Sequence, residues 1–154
     1  MHGRVAAEIW QILPAGWAVS AGLNYYYFDR SAFIALSSVE KYIGKYWMSL
    51  KGFIYFKDDG PTASVYLNAR RYFNDNDYLQ VTLGTGTAPD EPFNIQTDLM
   101  RLSANSIRLA YNVRLIPKLT MKIGAGYSRE EYEENIRRDR FEGYINLIYA
   151  LKMK

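Results

Sequence analysis

From Tyr46 to Phe73 apolar and polar positions alternate with a period of two, interrupted once at Lys57-Asp58-Asp59-Gly60-Pro61. On the first arm Tyr46, Met48, Leu50, Gly52, Ile54 and Phe56 share one face, and Trp47, Ser49, Lys51, Phe53, Tyr55 and Lys57 share the other. On the second arm Ala63, Val65, Leu67, Ala69 and Phe73 oppose Ser64, Tyr66, Asn68, Arg70 and Tyr72, with Arg71 an exception on the apolar side. Side chains alternate across a strand, so the pattern predicts a long antiparallel hairpin with one apolar and one polar face. Both arms exceed the usual strand of about 5–6 residues. Long alternating strands are the signature of a transmembrane β-barrel.

The same pattern predicts strands at about Arg4 to Leu13, Trp17 to Phe28, Ala32 to Glu40, Tyr78 to Leu83, Asn105 to Leu115, Leu119 to Ser128 and Phe141 to Lys152. Gly84 to Ala104 and Arg129 to Arg140 read as loops, and Asn74-Asp75-Asn76-Asp77 as a polar turn. The expected fold is all-β: an antiparallel up-and-down transmembrane β-barrel of about nine strands forming one domain over residues 1–154. One end carries the short connections at Pro14-Ala15-Gly16, Gly44, Asn74 to Asp77 and Pro117-Lys118. The other carries Asp29-Arg30-Ser31, Lys57 to Pro61 and the two long loops. Membrane barrels put short turns in the periplasm and longer loops outside. On that orientation the first strand starts outside, so at least one further strand is expected before it and the barrel here is expected to be partial. Open edges then predict self-association or imperfect closure.

Alternation alone does not say which face points inward. In a soluble lipocalin-like barrel the apolar face lines a ligand cavity; in a membrane barrel it meets lipid. Strand length favours the membrane. Tyr25, Tyr27, Phe28, Tyr46, Trp47, Phe56, Tyr72, Phe73 and Tyr127, near strand ends, fit interfacial girdles.

Composition excludes more than it suggests. No run of about 18 apolar residues is present, so no helix spans a membrane. A net charge of +3, spread along the strands, gives no nucleic-acid footprint. Cys is absent and the only His is His2, which removes thiolate, His-based and His/Cys metal chemistry. No catalytic, cofactor or metal residues are expected.

Several segments, in order, carry a resemblance: Glu8-Ile9-Trp10-Gln11-Ile12-Leu13-Pro14 followed by Trp17 to Tyr27, then Tyr42-Ile43-Gly44-Lys45-Tyr46-Trp47, Ala69-Arg70-Arg71-Tyr72-Phe73, Gly86-Thr87-Ala88-Pro89-Asp90-Glu91, and Gly126-Tyr127-Ser128-Arg129-Glu130-Glu131-Tyr132. With them the chain resembles the YaiO family of outer-membrane β-barrel proteins from about Glu8 to Tyr149. The resemblance implies a location in the outer membrane of a Gram-negative bacterium. It also implies a barrel longer at its N-terminus, preceded in some members by a helical-repeat domain. It implies no particular activity.

The polar face supplies the candidate chemistry. Lys51, Arg70, Arg108, Arg114 and Lys122 would line the lumen as a selectivity ladder for anionic solutes or acidic glycans. The structural alternative pairs them with the inward carboxylates Glu8 and Glu142 to fill a narrow barrel. Tyr66, Tyr72 and Tyr144 would stack sugar rings or simply pack the lumen. Glu130, Glu131, Glu133 and Glu134 beside Arg137, Arg138 and Arg140 would bind divalent cations or lipopolysaccharide phosphates, or pair among themselves. The expected function is a non-enzymatic channel or export component of the envelope, for glycans or anionic solutes. Its partners would be outer-membrane lipid, lipopolysaccharide and a polysaccharide substrate. The alternatives are a non-conducting scaffold that anchors a periplasmic protein partner, and a soluble ligand-binding barrel.

Overall fold

The computed structural model describes residues 3–27, 32–57, 60–86, 103–133 and 136–150. Nine strands follow one another: β1 Gly3–Leu13, β2 Trp17–Tyr27, β3 Ala32–Ile43, β4 Tyr46–Lys57, β5 Gly60–Tyr72, β6 Tyr78–Gly86, β7 Ser103–Ile116, β8 Leu119–Glu133 and β9 Ile136–Tyr149. They form one sheet, each strand antiparallel to the next, in the order β1 to β9. This is the up-and-down meander expected from the alternation. No helix of the described residues is long and apolar enough to cross a membrane.

Burial settles which face is inward. Ser20, Asn24, Ser38, Ser49 and Ser64 are buried, while Ile9, Leu23, Met48, Leu50, Ile54, Val65, Leu67, Ile107 and Leu109 are exposed. Adjacent residues make the contrast sharpest: Ser49 is 3% exposed and Leu50 is 50% exposed. A protein folding in water would bury the leucines. The apolar face therefore belongs against lipid and the polar face inside, which overturns the soluble-barrel alternative.

The pairing registers are staggered in one direction. Trp17, at the start of β2, pairs with Lys41, yet β3 continues to Ile43. Tyr78 pairs with Asn112, yet β7 continues to Ile116. Each tight turn thus lies further along than the one before it, the stagger that tilted barrel strands require. The tight-turn end is also cross-braced. Lys41 Nζ donates to the Ala15 carbonyl at 2.6 Å and sits 4.5 Å from the Trp17 ring centre. The Tyr72 N–H donates to the Lys45 carbonyl at 2.8 Å. Gly44 has φ +57, the left-handed conformation that a two-residue hairpin turn needs.

Several boundaries differ from the expected ones. The segment Arg129 to Arg140 is mostly strand, because β8 runs to Glu133 and β9 starts at Ile136. Arg129 pairs with Asp139, Glu130 with Arg138 and Glu131 with Arg137, so opposite charges replace apolar alternation as the cross-strand glue. Strand β3 extends to Ile43, β6 to Gly86, and β7 starts at Ser103. The registers also move two aromatics. Trp47 and Tyr72 share the inward face with Arg70 and Gln80, so they are wall residues rather than lipid girdle. Phe28, Asp29 to Ser31, Asp58, Asp59, Thr87 to Glu91, Glu134 and His2 lie outside the described residues. Arg71, the polar exception, is exposed on the outward face near the tight turns, 5.3 Å from the Phe73 ring centre. An interfacial arginine that snorkels over an aromatic ring fits that position.

Candidate functional site on the inner wall

Cross-strand registers resolve the inward face into rows. One holds Trp10, Ser20, Ser38, Lys51, Tyr66, Gly84, Ser106, Ser128 and Arg140. The row one step nearer the tight turns holds Ala18, Glu40, Ser49, Asn68, Thr82, Arg108, Gly126 and Glu142. The next holds Tyr42, Trp47, Arg70, Gln80, Ala110, Gly124 and Tyr144, followed by Tyr72, Tyr78, Asn112, Lys122 and Asn146. All nine candidate lumen residues lie on this face. Glu8 stands opposite Gly22, and Arg114 lies furthest toward the turns, opposite Thr120.

The cations fall into two groups. In the first, charge is compensated. Arg108 Nε donates to Glu142 Oε1 at 2.6 Å, and Arg140 lies 4.0 Å from the other Glu142 oxygen. Arg140 also approaches Glu130, which is 2% exposed and accepts from Ser128 Oγ at 3.1 Å. Lys51 Nζ lies 3.8 Å from Glu8, whose carboxylate accepts from Ser20 Oγ at 2.8 Å. Pairing of inward cations with Glu8 and Glu142 therefore holds for Lys51 and Arg108.

Arg70 belongs to the second group. Its guanidinium carbon lies 4.6 Å from the Trp47 ring centre and 4.1 Å from that of Tyr78. Nε and Nη2 donate to Gln80 Oε1 at 3.1 and 2.7 Å, and Nη1 donates to the Tyr72 hydroxyl at 2.9 Å. Trp47 is itself held by its indole N–H, which donates to Glu40 Oε2 at 3.0 Å, and by Tyr42 at 6.4 Å between ring centres. The planar guanidinium suits this arrangement as an ammonium would not, because it stacks and donates in a fixed fork. Lys122 lies 5.9 Å from the Tyr144 ring centre. Among the described residues neither Arg70 nor Lys122 pairs with a carboxylate. Gln80, Trp47, Tyr78 and Glu40 were not among the sequence candidates. The four-residue turn Asn74 to Asp77, which sets Tyr72 opposite Tyr78, is the signal that could have found Tyr78 and Gln80.

Glycines let aromatic rings lie flat on the wall. A Cβ on Gly84 would collide with the Tyr66 ring, and one on Gly124 would sit 2.5 Å from Tyr144 Cζ. The opposite end of β2 to β4 is different: Tyr26, Ile34 and Tyr55 form a buried apolar cluster with Phe53 against it.

Asn74 to Asp77 forms the expected polar turn, and its own side chains close it. Asn74 Oδ1 accepts from the N–H groups of Asn76 and Asp77 at 2.9 and 2.8 Å. Asp77 Oδ1 accepts from the Arg114 N–H and Oδ2 from Asn74 Nδ2, at 2.8 and 2.7 Å. These bonds, the Arg114 amide first, hold the Asp77 carboxyl below its ordinary range. A depressed carboxylate stabilises the fold above its unfolded value, about pH 4, and that contribution is lost as pH falls through the lower folded value. The stability gap between wild type and Asp77→Asn should therefore be constant above about pH 4 and shrink below it, followed by thermal unfolding in detergent. A gap that widens toward acid would contradict this assignment. Among the described residues no three His, Cys, Asp or Glu side chains group as metal ligands.

No curated protein and no solved structure matches the chain. The family model of the YaiO membrane beta barrel domain matches residues 2–91, more than half of the 154. That match, with the outward apolar face, shows an outer-membrane β-barrel. The chain belongs to the YaiO membrane beta barrel family.

Proposed function

We propose that the protein is a passive, non-enzymatic conduit in the outer membrane of a Gram-negative bacterium, serving as a channel or export component for hydrophilic solutes. The observation that supports it is the inward face itself. Its rows carry Ser, Asn, Gln, Thr, Lys and Arg, the groups that replace water around a polar solute. The tight-turn end faces the periplasm on this reading, and the charged β8–β9 hairpin faces the lipopolysaccharide phosphates, with Arg129, Arg137 and Arg138 as donors. The outward leucines and isoleucines take outer-membrane lipid.

Reconstitution into planar bilayers tests the reading. The expected result is a steady ohmic conductance at low voltage, and an electrically silent but folded barrel would overturn it. Silence would favour the second reading, a non-conducting scaffold for a periplasmic protein. The apolar cluster of Tyr26, Ile34 and Tyr55 on the inward face is the observation on that side.

A further inference from the structure

Charge is not evenly distributed along the inward face. The rows with Lys51 and Arg108 also hold Glu40 and Glu142, and Lys51 itself reaches Glu8. The next two rows toward the tight turns hold Arg70 and Lys122 and no Asp or Glu. Those two rows therefore carry local positive charge, with Glu40 engaged by the Trp47 indole one row away and Asp77 engaged within the adjoining turn, and a mobile anion is favoured beside them. Arg70 is also preorganised. Two rings fix its plane, Gln80 and Tyr72 fix its edges, and three of its five N–H donors are engaged, leaving two for a ligand. Lys122 stands three strands away and one row on, about 14 Å along the sheet. Between them lie Gln80, Asn112 and Tyr78, whose amide and hydroxyl groups match the alternating donors and acceptors of sugar hydroxyls.

We propose that this band is a binding site for an acidic carbohydrate chain, with one carboxylate on Arg70, a second on Lys122 and the intervening hydroxyls on the amide-rich wall. A single small anion would use only one of the two cations, so the spacing selects for a chain with repeated carboxylates. The inference rests on the conduit reading for the ligand's route, but binding can be measured without conduction.

The test uses the full chain folded in detergent and titrated calorimetrically with three probes: tetragalacturonate, maltotetraose and inorganic phosphate. Tetragalacturonate should bind, and Arg70→Gln and Lys122→Gln should each weaken it at least about tenfold. Arg70→Lys, which keeps the charge but loses the fork, should weaken it too. Lys122→Gln touches none of the Arg70 contacts, so it remains informative if the Arg70 variants fold poorly. Equal binding of maltotetraose, binding of phosphate as tight as that of tetragalacturonate, or indifference to both glutamine variants would overturn the proposal. Conductance without such binding would defeat this site and leave the conduit standing. Binding without conductance would do the reverse.

Discussion

Leu50→Arg should destabilise the folded protein in a lipid bilayer by about 2–4 kcal/mol, the cost of a cation on the lipid face near the midplane. Leu50 lies near the middle of β4 and is half exposed. Its row on the outward face runs through Val39, Leu67, Leu83 and Ile107, so no carboxylate stands opposite to pair with the guanidinium, and Ser37, polar and diagonal to it, is neutral. Snorkelling to the interface is hardest from mid-strand. The control is one residue away. Lys51→Arg, on the inward face beside Glu8, keeps its charge and should change stability by no more than about 0.5 kcal/mol. Urea unfolding in lipid vesicles measures both. If Leu50→Arg folds into vesicles as stably as wild type, the apolar face is not the lipid face and the orientation argued from Ser49 and Leu50 is wrong.

The same orientation explains what could be read from the residues and what could not. The strands were legible because lipid outside and a polar lumen inside impose a strict period of two, clearest at Tyr46 to Phe73. Legibility failed where the two environments stop differing. In β3, Ile34, part of the apolar cluster, and Leu36, also buried, point inward while Phe33 and Ala35 point outward, so both faces are apolar and the alternation fades. At the tips of β8 and β9 both faces are charged, and Arg129 to Arg140 resembles a loop although β8 runs to Glu133 and β9 starts at Ile136. The candidate wall was legible as a set of residues. Lys51, Arg70, Arg108, Lys122, Glu8 and Glu142 could be placed on one face by counting. Their division into paired and unpaired cations could not, because Arg108 meets Glu142 across 34 residues of chain. Nor could the sandwich around Arg70, which needs the β4–β5 and β5–β6 registers together. Trp47 shows the limit of reasoning from residue type: an aromatic near a strand end suggests a lipid girdle, but its parity puts it on the inner wall.

Gly86→Ala should be the most damaging single-methyl change on the wall, and Gly84→Ala, two residues earlier, should be a milder and reversible one. Gly86 has φ +125, a conformation that side chains other than glycine's adopt only with strain of about 1–3 kcal/mol. The added Cβ would also meet the Ala63 carbonyl oxygen and the Ser64 backbone, neither of which can turn aside. At Gly84 the backbone is ordinary, and the obstacles are the Tyr66 ring and, at 2.7 Å, Ser106 Oγ. A ring can rotate into the lumen, at an overpacking cost of about 1–3 kcal/mol at most. Tyr66→Ala should therefore restore the stability lost in Gly84→Ala and do nothing for Gly86→Ala, a coupling that a double-mutant cycle reads directly. Urea midpoints of the three single and two double variants in vesicles would show it. Rescue of Gly86→Ala by Tyr66→Ala, or no coupling between positions 66 and 84, would mean that the ring does not lie on the glycine and that the wall is packed differently. If the coupling appears, the tyrosine turned inward in Gly84→Ala should also narrow the lumen. Its conductance should then fall below that of the Gly84→Ala/Tyr66→Ala double variant.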